Sequence, residues 1–140
     1  MAEADFAFSH TLRVRWAEVD MQGVVFNGHY LTYIDVAFTE YWRATGLPDA
    51  IMQARDGREL FVRKSTIEYF SPAHFDDEIV IGCRCAAIGN SSLQMQMQIH
   101  RGDTHLISAQ LIYVYADVAS KTSCAVPAAW REIIDAFECR

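Results

Sequence analysis

The stretch RVRWAEVDMQGVVFNGHY, residues 13–30, holds the residue types and spacing from which chemistry can be built. Asp20 stands in a turn that ends in Gly23, and Asn27 follows four residues later at the point where an apolar pattern of helical period begins. A helix start presents backbone N–H groups without acceptors and the positive end of the helix dipole. A carbonyl oxygen held there is polarised, and a carboxylate beside it can attack the carbonyl carbon or take a proton from water. This combination suits hydrolysis of an activated acyl group, and a good leaving group such as a thiolate needs no strong acid to depart. Asp20 is therefore a candidate nucleophile or base, and Asn27 a candidate N-cap whose side chain satisfies one of the free N–H groups. The bland alternative for Asp20 is an ordinary turn residue bonded to nearby backbone.

Other titratable residues near this stretch carry weaker signals. Glu18 is two residues from Asp20, and as a like charge it reads equally well as a solvated side chain. His29 reads as a solvated residue of the first helical turn, and His10, His74, His100 and His105 share no common spacing. Glu40, three turns into the helix, is the other acid near the motif. Cys83 and Cys85 form an isolated C-x-C, with Cys124 and Cys139 far away and no paired ligand spacing, so the four cysteines read as buried free thiols and no metal is expected.

These groups must be positioned by a scaffold, and the hydrophobic periodicity outlines it. From Tyr30 to Thr45 the residues Tyr30, Ile34, Ala37, Phe38, Tyr41 and Trp42 recur at intervals of three and four, the pattern of a helix with one buried face, and Gly46 with Pro48 supplies a stop. Residues 8–16 alternate loosely as a strand, and 60–70 and 78–88 read as two more. Leu93, Met95, Met97 and Ile99 alternate with Gln94, Gln96, Gln98 and His100, which predicts a strand with one apolar and one polar face. Residues 105–115 are apolar on both parities, as in a central strand covered on both sides. Gly89-Asn90 and Arg101-Gly102-Asp103 supply turns, and residues 130–137 read as a short terminal helix after Pro127. The order of strand, long helix and four strands predicts an α+β domain: one antiparallel sheet wrapped on one helix, with residues 1–140 as a single unit.

Composition limits the function classes. Hydrophobic residues at 51% and charged residues at 21% exclude a disordered chain, and no apolar run approaches the ~20 residues of a membrane-crossing helix. The opening MAEADFAFSH has no cationic or apolar signal region, which points to a cytoplasmic protein. A net charge of −6 argues against nucleic acid as a partner.

The same residues carry a family resemblance. Asp20, Gly23, Val25, Asn27 and Tyr30 match the pattern D-x-x-G-h-V-x-N/Y/H-x-x-Y, and the likeness runs on through WRATGL, IEYFSPAHFDDEIVI, IGNSSLQMQMQI and QLIYVYAD. The chain thus resembles the hotdog-fold acyl-CoA thioesterases of the 4-hydroxybenzoyl-CoA thioesterase type. Where many relatives carry His after the glycine or at the Asn27 position, this chain has Val24 and Asn27, which departs from a histidine-assisted mechanism.

The resemblance implies a hotdog fold, hydrolysis of an acyl-CoA or acyl-carrier thioester without a cofactor, and a homodimer or homotetramer in which two protomers join their sheets edge to edge. It places Asp20 and the Asn27 amide at the catalytic centre and Gly23, Phe26 and Tyr30 around the substrate. Tyr33, Met95 and Met97 are further candidates for an apolar acyl pocket. Ser91 and Ser92 occupy a turn that meets coenzyme A phosphates in relatives, here without an adjacent basic residue, and Arg63 and Lys64 are the nearest cations by position in the family. Two other readings compete: a noncatalytic acyl-thioester or fatty-acid binding protein, and a hotdog hydratase, whose His–Asp pairing is absent.

Overall fold

The computed structural model describes residues 6–47 and 57–140. Its elements in chain order are β1 (Ser9–Arg13), a 3-10 turn (Trp16–Glu18), α1 (His29–Thr45), β2 (Arg58–Tyr69), β3 (Glu78–Ile88), β4 (Ser92–Arg101), β5 (Thr104–Asp117) and α2 (Ala128–Phe137). The strand expected over 8–16 is shorter, because the chain turns at Trp16–Glu18. Pro48, expected to help stop α1, lies outside the described residues, and the stop that is seen is Gly46 in the left-handed region at φ 87°.

The five strands form one antiparallel sheet in the order β1-β3-β4-β5-β2. Registers such as Cys83↔Met97, Met97↔Ala109 and Ile99↔Ile107 place one parity of every strand on a common face. That face is apolar and lies against α1. Tyr30, Tyr33, Ile34, Ala37, Phe38, Tyr41 and Trp42 are the buried side of the helix, as the three-and-four spacing requires. Phe38 stacks on Tyr113 of β5 with ring centroids 4.0 Å apart, and Trp42 meets Trp130 of α2 at 5.4 Å. Met95 and Met97 are fully buried in this core, outside the cleft that lies beside Asp20.

The outer face differs from expectation in two ways. Gln98 and His100, placed by the alternation on the polar side of β4, are themselves buried, and His100 stacks on His105 at 4.9 Å. On β5, Ile112 and Val114 are only half-buried, so that strand is not fully covered on both sides.

The two sheet edges are treated unequally. β1 pairs with β3 only as far as Gly82. Beyond it the chain's own end takes over: Glu138 Oε2 accepts from the Cys85 N–H (2.8 Å) and the Tyr41 hydroxyl (2.6 Å), while Arg140 Nη1 donates to the Cys85 carbonyl (2.6 Å). β2, at the other edge, has no strand on its outer side among the described residues, and residues 61–66 are exposed on both parities.

Because α1 is the longest helix against the concave face among the described residues, its central side chain should weigh heavily in stability. Ile34→Ala is expected to cost about 2–5 kcal/mol, the range for deleting a buried aliphatic side chain. Exposed Thr32→Ala on the same helix should stay within about 0.5 kcal/mol. Urea denaturation with an unchanged slope is the measurement, and equal midpoints for the two variants would contradict this packing.

Candidate functional site

The residues from Glu18 to Phe26 form a miniature antiparallel turn. The Phe26 N–H donates to the Glu18 carbonyl (2.9 Å), Val19 bridges to Val25, and the Asp20 N–H donates to the Val24 carbonyl (2.9 Å). Gly23 closes the turn at φ 80°, donating its N–H to the Asp20 carbonyl (3.0 Å), in a conformation that strains any residue with a Cβ. Asp20 is thereby carried at the tip. Its Oδ1 accepts from the Gln22 N–H (2.8 Å), which orients the carboxylate and leaves the other oxygen without a bond among the described residues.

This turn is docked on a second loop. The Val25 N–H donates to the Ala73 carbonyl (2.9 Å), Val24 bridges to His74, and the Ala73 N–H donates to the buried Tyr30 hydroxyl (3.0 Å). Between the two loops and the start of α1 lies a cleft of about 380 Å³, lined by Asp20, Gln22, Val24, Val25, Asn27, Tyr30 and residues 69–72. Tyr69 packs edge to face on Tyr30 at 5.7 Å.

The start of α1 differs in detail from the expectation. Gly28, in helical conformation, is the N-cap, and no side chain caps the helix, so Asn27 is not the cap. The turn bonds itself instead, with the His29 N–H donating to the Phe26 carbonyl (2.9 Å) and the Tyr30 N–H reaching the Asn27 carbonyl (3.4 Å). The amides of Asn27 and Gly28 donate to no group among the described residues. They remain free for a ligand at the positive end of a 17-residue helix.

Not every expected residue joins this cleft. Gly23 shapes the loop without lining it, and Phe26 is half exposed with its ring against His29 (5.9 Å). Arg63 and Lys64 are exposed on the bare β2 edge, where the register shifts between Val62 and Lys64. Ser91 lies in the β3–β4 turn and Ser92 opens β4, neither lining the cleft, but that turn is not without a cation: Arg131 of α2 donates to the carbonyls of Gly89 and Asn90. Glu40 is outside the cleft and ion-paired with Arg43.

Sequence reasoning missed the wall formed by Tyr69, Phe70, Ser71 and Pro72; the available signal was the string EYFSP, whose place beside Asp20 depends on the tertiary fold. It also misplaced Glu18. Far from being solvated, Glu18 is 5% exposed and bonded to Arg15 and Tyr33. Burial alone would raise its pKa, but hydrogen bonds from the Arg15 side chain and backbone and from Tyr33 outweigh this and hold it below the usual range. Asp77 is likewise opposed by burial and held low by the His74 N–H (2.8 Å) and Arg101 (2.9 Å), and so fixes the second loop. The thiols are not competitors to Asp20. Cys83 and Cys85 are buried, and burial pushes Cys85 up to about 11, whereas Cys139 is exposed, contrary to the expectation of four buried thiols. Among the described residues no cluster of His, Cys, Asp and Glu could hold a metal.

Comparison with known proteins agrees with this geometry. The model of the family described as the thioesterase superfamily matches residues 22–108, more than half of the chain. The chain belongs to the thioesterase superfamily. Its match begins just after Asp20 and includes Asn27, Tyr30 and the second loop. The acyl-CoA thioester hydrolase YbgC of Escherichia coli is 29% identical over 122 residues, covering 86% of this chain and 90% of that protein. A 1,4-dihydroxy-2-naphthoyl-CoA thioesterase from Synechocystis superposes with a TM-score of 0.82 at 19% identity over 91% of this chain and 94% of the other. A Thermus thermophilus thioesterase solved with coenzyme A and zinc gives 0.82 at 24%, over 97% of both chains. The α+β architecture is the hotdog fold of these enzymes, and thioester hydrolysis is the chemistry of this family member.

The depressed carboxylates make a prediction about acid. A group whose folded pKa lies below its unfolded value stabilises the fold fully above the unfolded pKa and loses that contribution as pH falls through the folded one. The melting temperature should therefore be level above about pH 5 and fall as the pH drops through and below the carboxylate range near 4. Asp77→Asn should remove part of this acid dependence. A melting temperature that rises on acidification would contradict it.

Proposed function

We propose that the protein hydrolyses an acyl-CoA or closely related acyl thioester, with Asp20 as nucleophile or general base and the Asn27 and Gly28 amides as the oxyanion site. The observation that carries this reading is the meeting, in one cleft, of a carboxylate with an available oxygen and the unpartnered Asn27 amide at a helix start, with the unpartnered Gly28 amide next in sequence. Either Asp20 attacks the carbonyl carbon and expels the thiolate, leaving an anhydride for water to open, or it takes a proton from the attacking water. Val24, Val25, Tyr30, Tyr69 and Phe70 give the cleft apolar walls, which suits an aryl or medium-length acyl group. For the coenzyme A phosphates the available cations are Arg63 and Lys64 on the β2 edge and Arg131 beside the turn of Ser91 and Ser92.

The test compares two carboxylates in a thiol-release assay across aryl, short-chain and long-chain acyl-CoA substrates. Asp20→Asn is nearly isosteric but can neither attack nor accept a proton, and should lower turnover by about 10²–10⁴-fold while still binding substrate. Glu40→Gln, outside the cleft, should cost far less. The reverse ranking would assign the site to α1's third turn and remove Asp20 from the mechanism.

The bare edge of β2 supports a second element of the reading. An exposed strand of 12 residues carrying Phe61 and Val62 at the surface invites pairing, and two copies joined there would form one continuous sheet. A homodimer is the expected species by light scattering at micromolar concentration. A fully active monomer would overturn this assembly.

A further inference from the structure

Glu18 is the one buried carboxylate among the described residues, and nothing in the cleft explains why it is there. Removing a carboxylate from water costs several kcal/mol unless its oxygens are bonded and its charge is matched. Both conditions are met. Oε1 accepts from the Arg15 N–H (2.8 Å) and the Tyr33 hydroxyl (2.9 Å), and Oε2 accepts from Arg15 Nε (2.9 Å) and Nη2 (2.6 Å). With these four bonds, and outside the cleft lining, Glu18 has no free oxygen to offer a substrate.

What the four bonds join is informative. The Glu18 backbone carbonyl holds Phe26, the far side of the turn that carries Asp20, and Tyr33 belongs to the first turns of α1, whose start carries the free amides. The side chain thus ties the segment bearing the carboxylate to the helix bearing the oxyanion donors. The loop has few other anchors to α1: Asp20 itself bonds only within its own turn. Catalysis by a carboxylate and an oxyanion site depends on their mutual placement, and a misplacement of about 1 Å can cost on the order of 10²-fold in rate.

We propose that Glu18 is a positioning residue that holds Asp20 in register with the Asn27 and Gly28 amides through its bond to Tyr33. The proposal rests on the assignment of Asp20 as the catalytic carboxylate. Glu18→Gln keeps the length but cannot accept from the Arg15 guanidinium with its amide nitrogen, and it loses the charge. Tyr33→Phe removes only the hydroxyl and leaves the pair with Arg15 intact, so it carries the test should Glu18→Gln fail to fold.

Steady-state kinetics on an aryl-CoA or acyl-CoA substrate, well below the melting temperature, should show kcat lowered about tenfold or more by Glu18→Gln and by a smaller factor in Tyr33→Phe, with KM changed less than about threefold. The discriminating readout is the double-mutant cycle with Asp20→Asn. If Glu18 acts through Asp20, adding Glu18→Gln or Tyr33→Phe to Asp20→Asn should lower the residual rate by less than about twofold. Losses that multiply in full would make Glu18 a purely structural residue and overturn the proposal. So would single variants with unchanged kcat and a lowered melting temperature. Full turnover in Asp20→Asn alone would instead refute the assignment of Asp20, and the positioning role with it.

Discussion

The apolar stripe of α1 and the concave face of the sheet bury one another, with α2 closing one end, and the rest of the described structure follows from that mutual burial. Ile34, Ala37, Tyr41 and Trp42 have no measurable exposure, and they are covered by a sheet whose inner parity is aliphatic and aromatic from β1 to β5. Each large side chain on that stripe removes apolar area from water at roughly 25 cal/mol per Å², and the interlocked aromatic pairs add directional packing. A helix held this firmly has a start that cannot wander. The free amides at Asn27 and Gly28 are therefore fixed in space by core packing several turns away, which is the condition for an oxyanion site that needs no rearrangement on binding.

The carboxylate side of the site is built on different terms. Asp20 lies on a loop, where local backbone bonds and one glycine set the conformation, and loops are held less firmly than helices. Two carboxylates outside the cleft lining, Glu18 and Asp77, anchor the two loops by charge-assisted hydrogen bonds. Rigidity of the cleft thus comes from the core on one side and from partly exposed ion pairs on the other. The second kind is sensitive to pH, whereas the first is not.

Sheet edges show a similar division. Where β1 runs out, the backbone of β3 is satisfied by Glu138 and Arg140, so the chain's last residues complete a ladder that would otherwise end in open N–H and C=O groups. At β2 no such cover exists among the described residues. The edge that carries Arg63 and Lys64 faces outward beside the loop that contributes Tyr69 and Phe70 to the cleft. Any partner at that edge would stand next to the cleft.

Much of this was legible in the chain as written. Long-period patterns named α1 and its buried face, alternation named β4, and the boundaries of β3 fell where turn residues placed them, because each of these depends on neighbours within a few positions. The D-x-x-G turn and the helix start after it were legible for the same reason, and with them Asp20 and the Asn27 amide. Tertiary structure decided the rest. Glu18 is buried because Arg15 and Tyr33 converge on it, Met95 and Met97 are buried in the core, and the wall of Tyr69 to Pro72 reaches Asp20 across more than forty residues of sequence. Asn27 loses the cap to Gly28, and the His29 and Tyr30 amides bond the Phe26 and Asn27 carbonyls in place of a side-chain cap. Local patterns record which face of a segment avoids water, but the environment of a charged or polar side chain is set by whichever distant segments fold against it, and no local period encodes that.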